Sequence, residues 1–220
     1  MDPEEPHVAW AHSPTRRSWV RYALMAFLGL LAWIAAWLVL LYVLIVHLPS
    51  GFIAFFLLPL CYCFYRAVVQ LCYFRPALRM RRILRTYSWQ VLQGVSHGLG
   101  NHSEVAGKHY GWFEFPNPAA PEQRLPLVFA RHYRTEWWHR RMAPHAKPAL
   151  HMQIGTVWFA GDPRFIGLIA APGKGGTAPR RLHVLEQRMA LPEGRLFAEW
   201  GATAADVERG RRVGISTSHS

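Results

Sequence analysis

The sequence predicts an α+β protein: a two-helix transmembrane hairpin followed by a small antiparallel β-sheet or β-barrel-like domain. Three observations lead there. Hydrophobic residues make up 51% of the 220-residue chain, yet its mean hydropathy is only +0.03, so the apolar residues are concentrated in one region and diluted elsewhere. Between Pro6 and Ser103 there is no Asp or Glu. After Thr86 the pattern changes to short runs rich in Val, Ile and aromatics, separated by Gly, Pro and Asn, as strands and turns are.

Residues 1–20 hold three prolines and read as a disordered N-terminus carrying Arg16 and Arg17. The hairpin is expected over 21–74. Residues 23–46 are free of charge and, as a helix about 36 Å long, would cross a hydrocarbon core of about 30 Å with some tilt. Fourteen of them are Leu, Ile, Val or Phe, each favouring insertion by roughly 0.3–0.6 kcal/mol. The apolar core is too long for a cleaved signal peptide and the first residues are acidic, so an uncleaved anchor is expected. The HLPSG stretch at 47–51 supplies turn residues.

A second span then covers 51–74, with Pro59 as a kink site. Arg66 lies within it, roughly 22 Å from the loop, where its side chain can snorkel toward lipid phosphate. Arginines flank the outer ends of both spans, and the connecting loop has no Lys or Arg. By the positive-inside rule both termini are cytoplasmic and the location is the plasma membrane.

Residues 75–87 form a basic amphipathic juxtamembrane helix. At 100° per residue Arg75, Arg79, Arg82 and Arg85 fall on one stripe, while Pro76, Met80, Ile83, Leu84 and Tyr87 lie opposite, and Pro76 suits the first helical position. Such a helix is expected to lie on an anionic leaflet, at about 1 kcal/mol per basic residue near that surface.

The β-domain is assigned to 88–200, with strands over 88–95, 109–115, 125–133, 150–160, 164–171, 181–188 and 195–200. A hairpin turn is expected at Gly161-Asp162-Pro163, and either Trp158 or Phe159 in the core. A fragment starting near Arg85 should then fold alone. Residues 201–220 read as a flexible tail that could start a short helix at Ala204.

Motifs for chemistry are sparse. In GKGGT at 173–177 the spacing from Gly167 is one residue too long for a phosphate-binding loop, so a strand connection is expected. Twelve histidines show no HExxH, and all three cysteines lie in the apolar region, so no metal site, cofactor or catalytic set is assigned. The most distinctive polar stretch is 130–141, where Arg131, Tyr133, Arg134, Trp137, Trp138, Arg140 and Arg141 interleave charge with aromatics. Such a surface can seat in headgroups or meet a protein, and nucleic acid is the disfavoured partner. Tyr133 and one Trp could instead fill the sheet's core.

This layout resembles the small two-span membrane proteins of actinobacteria that carry a cytoplasmic β-domain, and the excess of Arg over Lys, 22 to 3, matches a GC-rich genome. The resemblance is one of layout over the whole chain and implies no activity. The expected function is a membrane-anchored, non-enzymatic β-domain for protein or inner-leaflet interaction. Its partners would be an anionic bilayer and a membrane protein or a second copy. The alternatives are an accessory subunit of a transport or secretion assembly and an enzyme acting on lipid headgroups; Ala26, Gly29, Ala32 and Ala36 allow close helix approach in the interaction module and the accessory subunit alike.

Overall fold

The computed structural model describes residues 8–47, 53–100, 102, 110–130, 134–173, 175–176, 178–187 and 198–215. They form two compact units, one of Trp19–Leu78 and one combining Met1–Ser18 with Arg79–Ser220. The chain is α+β: long N-terminal helices and a seven-stranded antiparallel sheet.

The helical unit contains most of α1 (Ser13–His47), all of α2 (Ile53–Cys72) and the start of α3 (Phe74–Thr86). Two stretches, Ser13–His47 and Phe55–Thr86, are long and apolar enough to cross a membrane. Ala26 and Cys63 are buried between the helices, and a Cβ at Gly29 would sit 2.9 Å from Nε2 of the buried Gln70. A side chain at 29 would have to displace the Gln70 amide. The Trp33 ring meets Tyr62 edge-on, and the Trp19 indole N–H donates to the Ala77 carbonyl at 2.8 Å. α3 begins at Phe74 after a one-residue break at Tyr73, two positions before Pro76.

In the second unit, β1 (Gln90–Gln93), β2 (His97–Leu99), β3 (Tyr110–Asn117), β4 (Ala120–Ala130), β5 (Thr156–Asp162), β6 (Ile166–Pro172) and β7 (Pro179–Glu186) run in the order β1-β5-β6-β7-β4-β3-β2. The sheet is open, yet it must be rolled. β1 and β2 are its two edges, and only residues 94–96 connect them, a reach of at most about 14 Å. Laid flat, seven strands would set their edges about 29 Å apart. The backbone supports the corner: Gly94 N–H donates to Gly155 O, and Glu114 N–H donates to Ser96 O.

The concave face holds the core, from Phe113 and Phe115 on β3, Leu127 and Phe129 on β4, Val157 and Phe159 on β5, Ile169 on β6 and Leu185 on β7. α4 (Glu136–Met142) adds Trp138 and Met142. Phe115 and Phe159 stack with centroids 4.0 Å apart, and a Cβ at Gly167 would meet the Phe159 ring at 2.2 Å. The β5–β6 hairpin forms as expected, but its turn falls at residues 163–165, because Gly161 and Asp162 still pair with Gly167 and Ile166 in the ladder. Gly161 there has φ +153, and a Cβ would lie 2.5 Å from Ile166 O, so only glycine fits. Of the two candidate core residues, Phe159 is the buried one.

Several expectations are corrected. Within 1–20 the described residues, 8–20, are ordered, and residues 1–7 lie outside the described residues. Val8 bridges Ser88, Ala9 N–H donates to Tyr87 O, His12 stacks on Trp158 and Thr15 accepts from the Trp89 indole. The three prolines suggested looseness because pairing with residues this distant leaves no local signal.

The apolar face of α3 is also spoken for. Met80, Ile83 and Leu84 are each 0% exposed, so this helix cannot sink that face into a bilayer. β6 is buried on both faces, and the unit that holds the sheet also includes Met1–Ser18 and Arg79 onward. Residues 150–155 are not strand but end α5 (Pro148–His151) and a 3-10 turn, Met152–Ile154.

Within 195–200 the described residues Ala198 and Glu199 are helical; the rest of that segment lies outside the described residues. The expected tail forms α6 (Ala204–Val213), capped by reciprocal Thr203–Asp206 hydrogen bonds and closed by Gly214 in the left-handed region. The loop at 173–177 connects β6 to β7, with Gly173 N–H donating to Ala178 O.

Candidate interaction surface

α4 places the aromatic-basic stretch. Its apolar spacing sends Trp138 and Met142 inward, packs Trp137 half-buried against the same core, and leaves Arg140 exposed and Arg141 half-buried. Trp138 is the tryptophan that fills the core, 1% exposed and edge-on to Phe113. Arg131 and Tyr133 lie outside the described residues, and Arg134 is half-buried just before the helix.

Trp137 is half-buried, and the Arg141 guanidinium lies 3.8 Å from its ring centre. Two bonds to Gln153 Oε1, at 2.9 and 2.8 Å, and one to Trp137 O at 3.0 Å fix Arg141 in that pose. Arg181 approaches the same ring at 5.7 Å. Desolvation, then the charges of Arg181 and Arg140, lower the pKa of Arg141 from its ordinary value. Arg140 pairs with Glu136 one turn back at 3.1 Å, while no carboxylate pairs with Arg141 or Arg181 among the described residues.

Arg181 belongs to this cluster because of its backbone. Between the pairs Ile169↔His183 and Ala171↔Arg180, two β7 residues face one β6 residue, which makes a bulge. Arg181 takes φ +56 there, the only non-glycine residue with positive φ among the described residues, at a cost of about 1–3 kcal/mol. The Trp138 indole N–H donates to the Arg181 carbonyl at 3.3 Å and holds the bulge in place. Sequence reading missed Arg181, since alternation places it on a strand but gives no sign of a bulge.

The arginines of the juxtamembrane stripe have separate surroundings. Arg75 and Arg82 are exposed, Arg79 pairs with Glu186, and Arg85 lies 5.5 Å from the Trp10 ring centre. Arg66 is half-buried over Trp33 at 5.2 Å.

A second charged group, also missed, is buried. Arg164, 5% exposed, grips Asp162 through Nε and Nη2 at 2.9 and 2.6 Å, reaches Asp206 at 3.0 Å and donates to Gly201 O at 3.0 Å. The hydrogen bond to Asp162 leads in raising the Arg164 pKa. Burial pushes the Asp206 carboxyl up, but hydrogen bonds from Thr203 and the Arg164 charge outweigh it and hold the group below its usual range. Beside them the buried Tyr87 hydroxyl has no partner. Desolvation, then Asp162, raise its pKa to about 12. This cluster pins α6 to the β5–β6 turn and is structural. No three His, Cys, Asp or Glu side chains gather to hold a metal among the described residues.

Compared with known proteins, the chain matches no family model, no curated protein and no solved structure. Its site is therefore read from its own geometry.

Proposed function

We propose that the chain is a membrane-anchored, non-enzymatic interaction module. α1 and the α2–α3 segment cross the plasma membrane as a hairpin, both termini are cytoplasmic, and the sheet unit meets an anionic leaflet or a protein partner. The observation that carries the hairpin is that both of its outer ends belong to one folded unit. Val8 bridges Ser88, and the Ser18 hydroxyl donates to Pro179 O at 2.7 Å, so the chain leaves this unit in α1 and returns to it in α3.

What lies between is unsuited to water. Ile45 is 73% exposed, Phe55 76% and Leu58 78%, within a continuous apolar surface far larger than soluble proteins leave open. Arginines at both outer ends and none in the connection support a cytoplasmic sheet unit.

The test is topological. With Cys61, Cys63 and Cys72 replaced by Ala, Ser50→Cys should be labelled by an impermeant thiol reagent added to intact cells, and Ser103→Cys only after lysis. Labelling of the cysteine at 103 from outside overturns the reading.

A further inference from the structure

We propose that Arg181, Arg141 and the face of Trp137 form a binding site for a phosphate group. The site rests on the reading of this surface as an interaction surface, but it does not depend on which way the hairpin crosses.

Three features converge on a ligand. The first is strain: Arg181 occupies a positive-φ position of a bulge, where glycine would be free of penalty. A side chain kept at such a position is one whose direction matters, and a bulge re-aims side chains. The second is like charge. Two guanidinium groups lie 3.8 and 5.7 Å from the centre of one indole, and no carboxylate pairs with either among the described residues; desolvation first, then the charge of Arg181, lowers the Arg141 pKa. The third is preorganisation. Gln153 and Trp137 O use one N–H of each Arg141 nitrogen, so its plane is fixed while two N–H groups remain to donate. Arg181 is exposed and adds its own fork. Two planar forks beside one ring suit a phosphate oxyanion, which would offset their like charge.

Such a phosphate could belong to a lipid headgroup or to a soluble molecule. Its chemistry is the same in both. Full-length chain in an uncharged detergent would be titrated with inorganic phosphate at constant ionic strength, with chloride as control, and the thermal unfolding midpoint read at each step. Phosphate should raise the midpoint saturably. In Arg181→Gln and Arg141→Gln the half-saturating concentration should rise about tenfold or more, the loss expected for one charge-assisted hydrogen bond.

Arg181→Gly is the decisive variant. It should raise the midpoint without phosphate, because the strain is relieved, and should no longer respond to phosphate. Repeating the titration in nanodiscs separates the sources. A response present in phosphatidylcholine discs and abolished by phosphatidylglycerol identifies the lipid headgroup, and a response unchanged by phosphatidylglycerol identifies a soluble phosphate. Equal responses in wild type and Arg181→Gly, or a matching response to chloride, would overturn the site and leave the hairpin reading intact.

Discussion

A soluble fragment of residues 85–220 should fail to fold, whereas residues 8–18 joined to 79–220 by a flexible linker should fold as a water-soluble unit. The difference can be worked from the contacts. The short fragment lacks Met80, Ile83 and Leu84, each 0% exposed. Burial of such side chains stabilises by about 1.5–3 kcal/mol apiece, so about 5–9 kcal/mol is forfeited. It also lacks the N-terminal segment, with hydrogen bonds from Ala9 N–H to Tyr87 O, from the Trp89 indole to Thr15 and from Ser18 to Pro179 O. At about 1 kcal/mol each, plus about 1 for His12 stacked on Trp158, these come to about 4 kcal/mol. The total matches or exceeds the whole stability of many domains, about 5–15 kcal/mol. A Gly/Ser linker of about 20 residues, with a root-mean-square reach of about 25 Å, replaces the hairpin. Urea unfolding followed by tryptophan fluorescence and far-ultraviolet circular dichroism compares the two. If the 85–220 fragment unfolds cooperatively at the same midpoint as the joined chain, the N-terminal segment and α3 are not part of the folding unit.

Other substitutions probe the interior, each read as a urea midpoint on the joined chain. Phe159→Ala should cost about 3–5 kcal/mol, and Trp158→Ala, half-buried on the other face of the sheet, distinctly less. Arg164→Met leaves Asp162 buried without its cation and should cost about 3–5 kcal/mol, with α6 losing amide-exchange protection first. Asp206 is held below its ordinary pKa, so its contribution is present above the unfolded value of 3.8 and is lost as pH falls through the lower folded value; Asp206→Asn should flatten that acid limb. Tyr87 is raised from 10.0 to about 12, so its contribution is full below pH 10 and is lost as pH climbs toward 12. Tyr87→Phe should remove that alkaline loss and cost little at pH 7, since the hydroxyl is buried without a partner; a large cost at neutral pH would show that the hydroxyl is bonded.

What was legible in the sequence follows the range of the forces involved. The long apolar helices and most strands announce themselves locally, by composition and by period, and the β5–β6 hairpin by its Gly and Pro, although its turn falls at 163–165. α3 was readable as amphipathic, but periodicity names a buried face without naming what covers it. A bilayer and a protein interior ask for the same Met80, Ile83 and Leu84. The ordered N-terminus, the Arg164 cluster and Arg181 depend on partners far along the chain or on a backbone angle. Neither leaves a periodic trace. Within 130–141 the competing readings divided by residue: Trp138 went to the core, and Trp137 and Arg141 to the surface.

The hydrogen bond from Ser18 to Pro179 spans 161 residues, and this sets an order of events during synthesis. At about 5–20 residues per second, the N-terminal segment waits roughly 8–30 s on the ribosome before its last partner exists. Both apolar helices are complete long before then. The membrane hairpin proposed above would therefore be inserted while the sheet is still being made, and the tethered segment would be held near the emerging strands instead of diffusing freely. A chain released early, before β7, would carry a finished anchor and an unclosed sheet whose aromatic face has nothing to cover it. Quality control for this protein would then have to act at the membrane surface, on the last third of the chain.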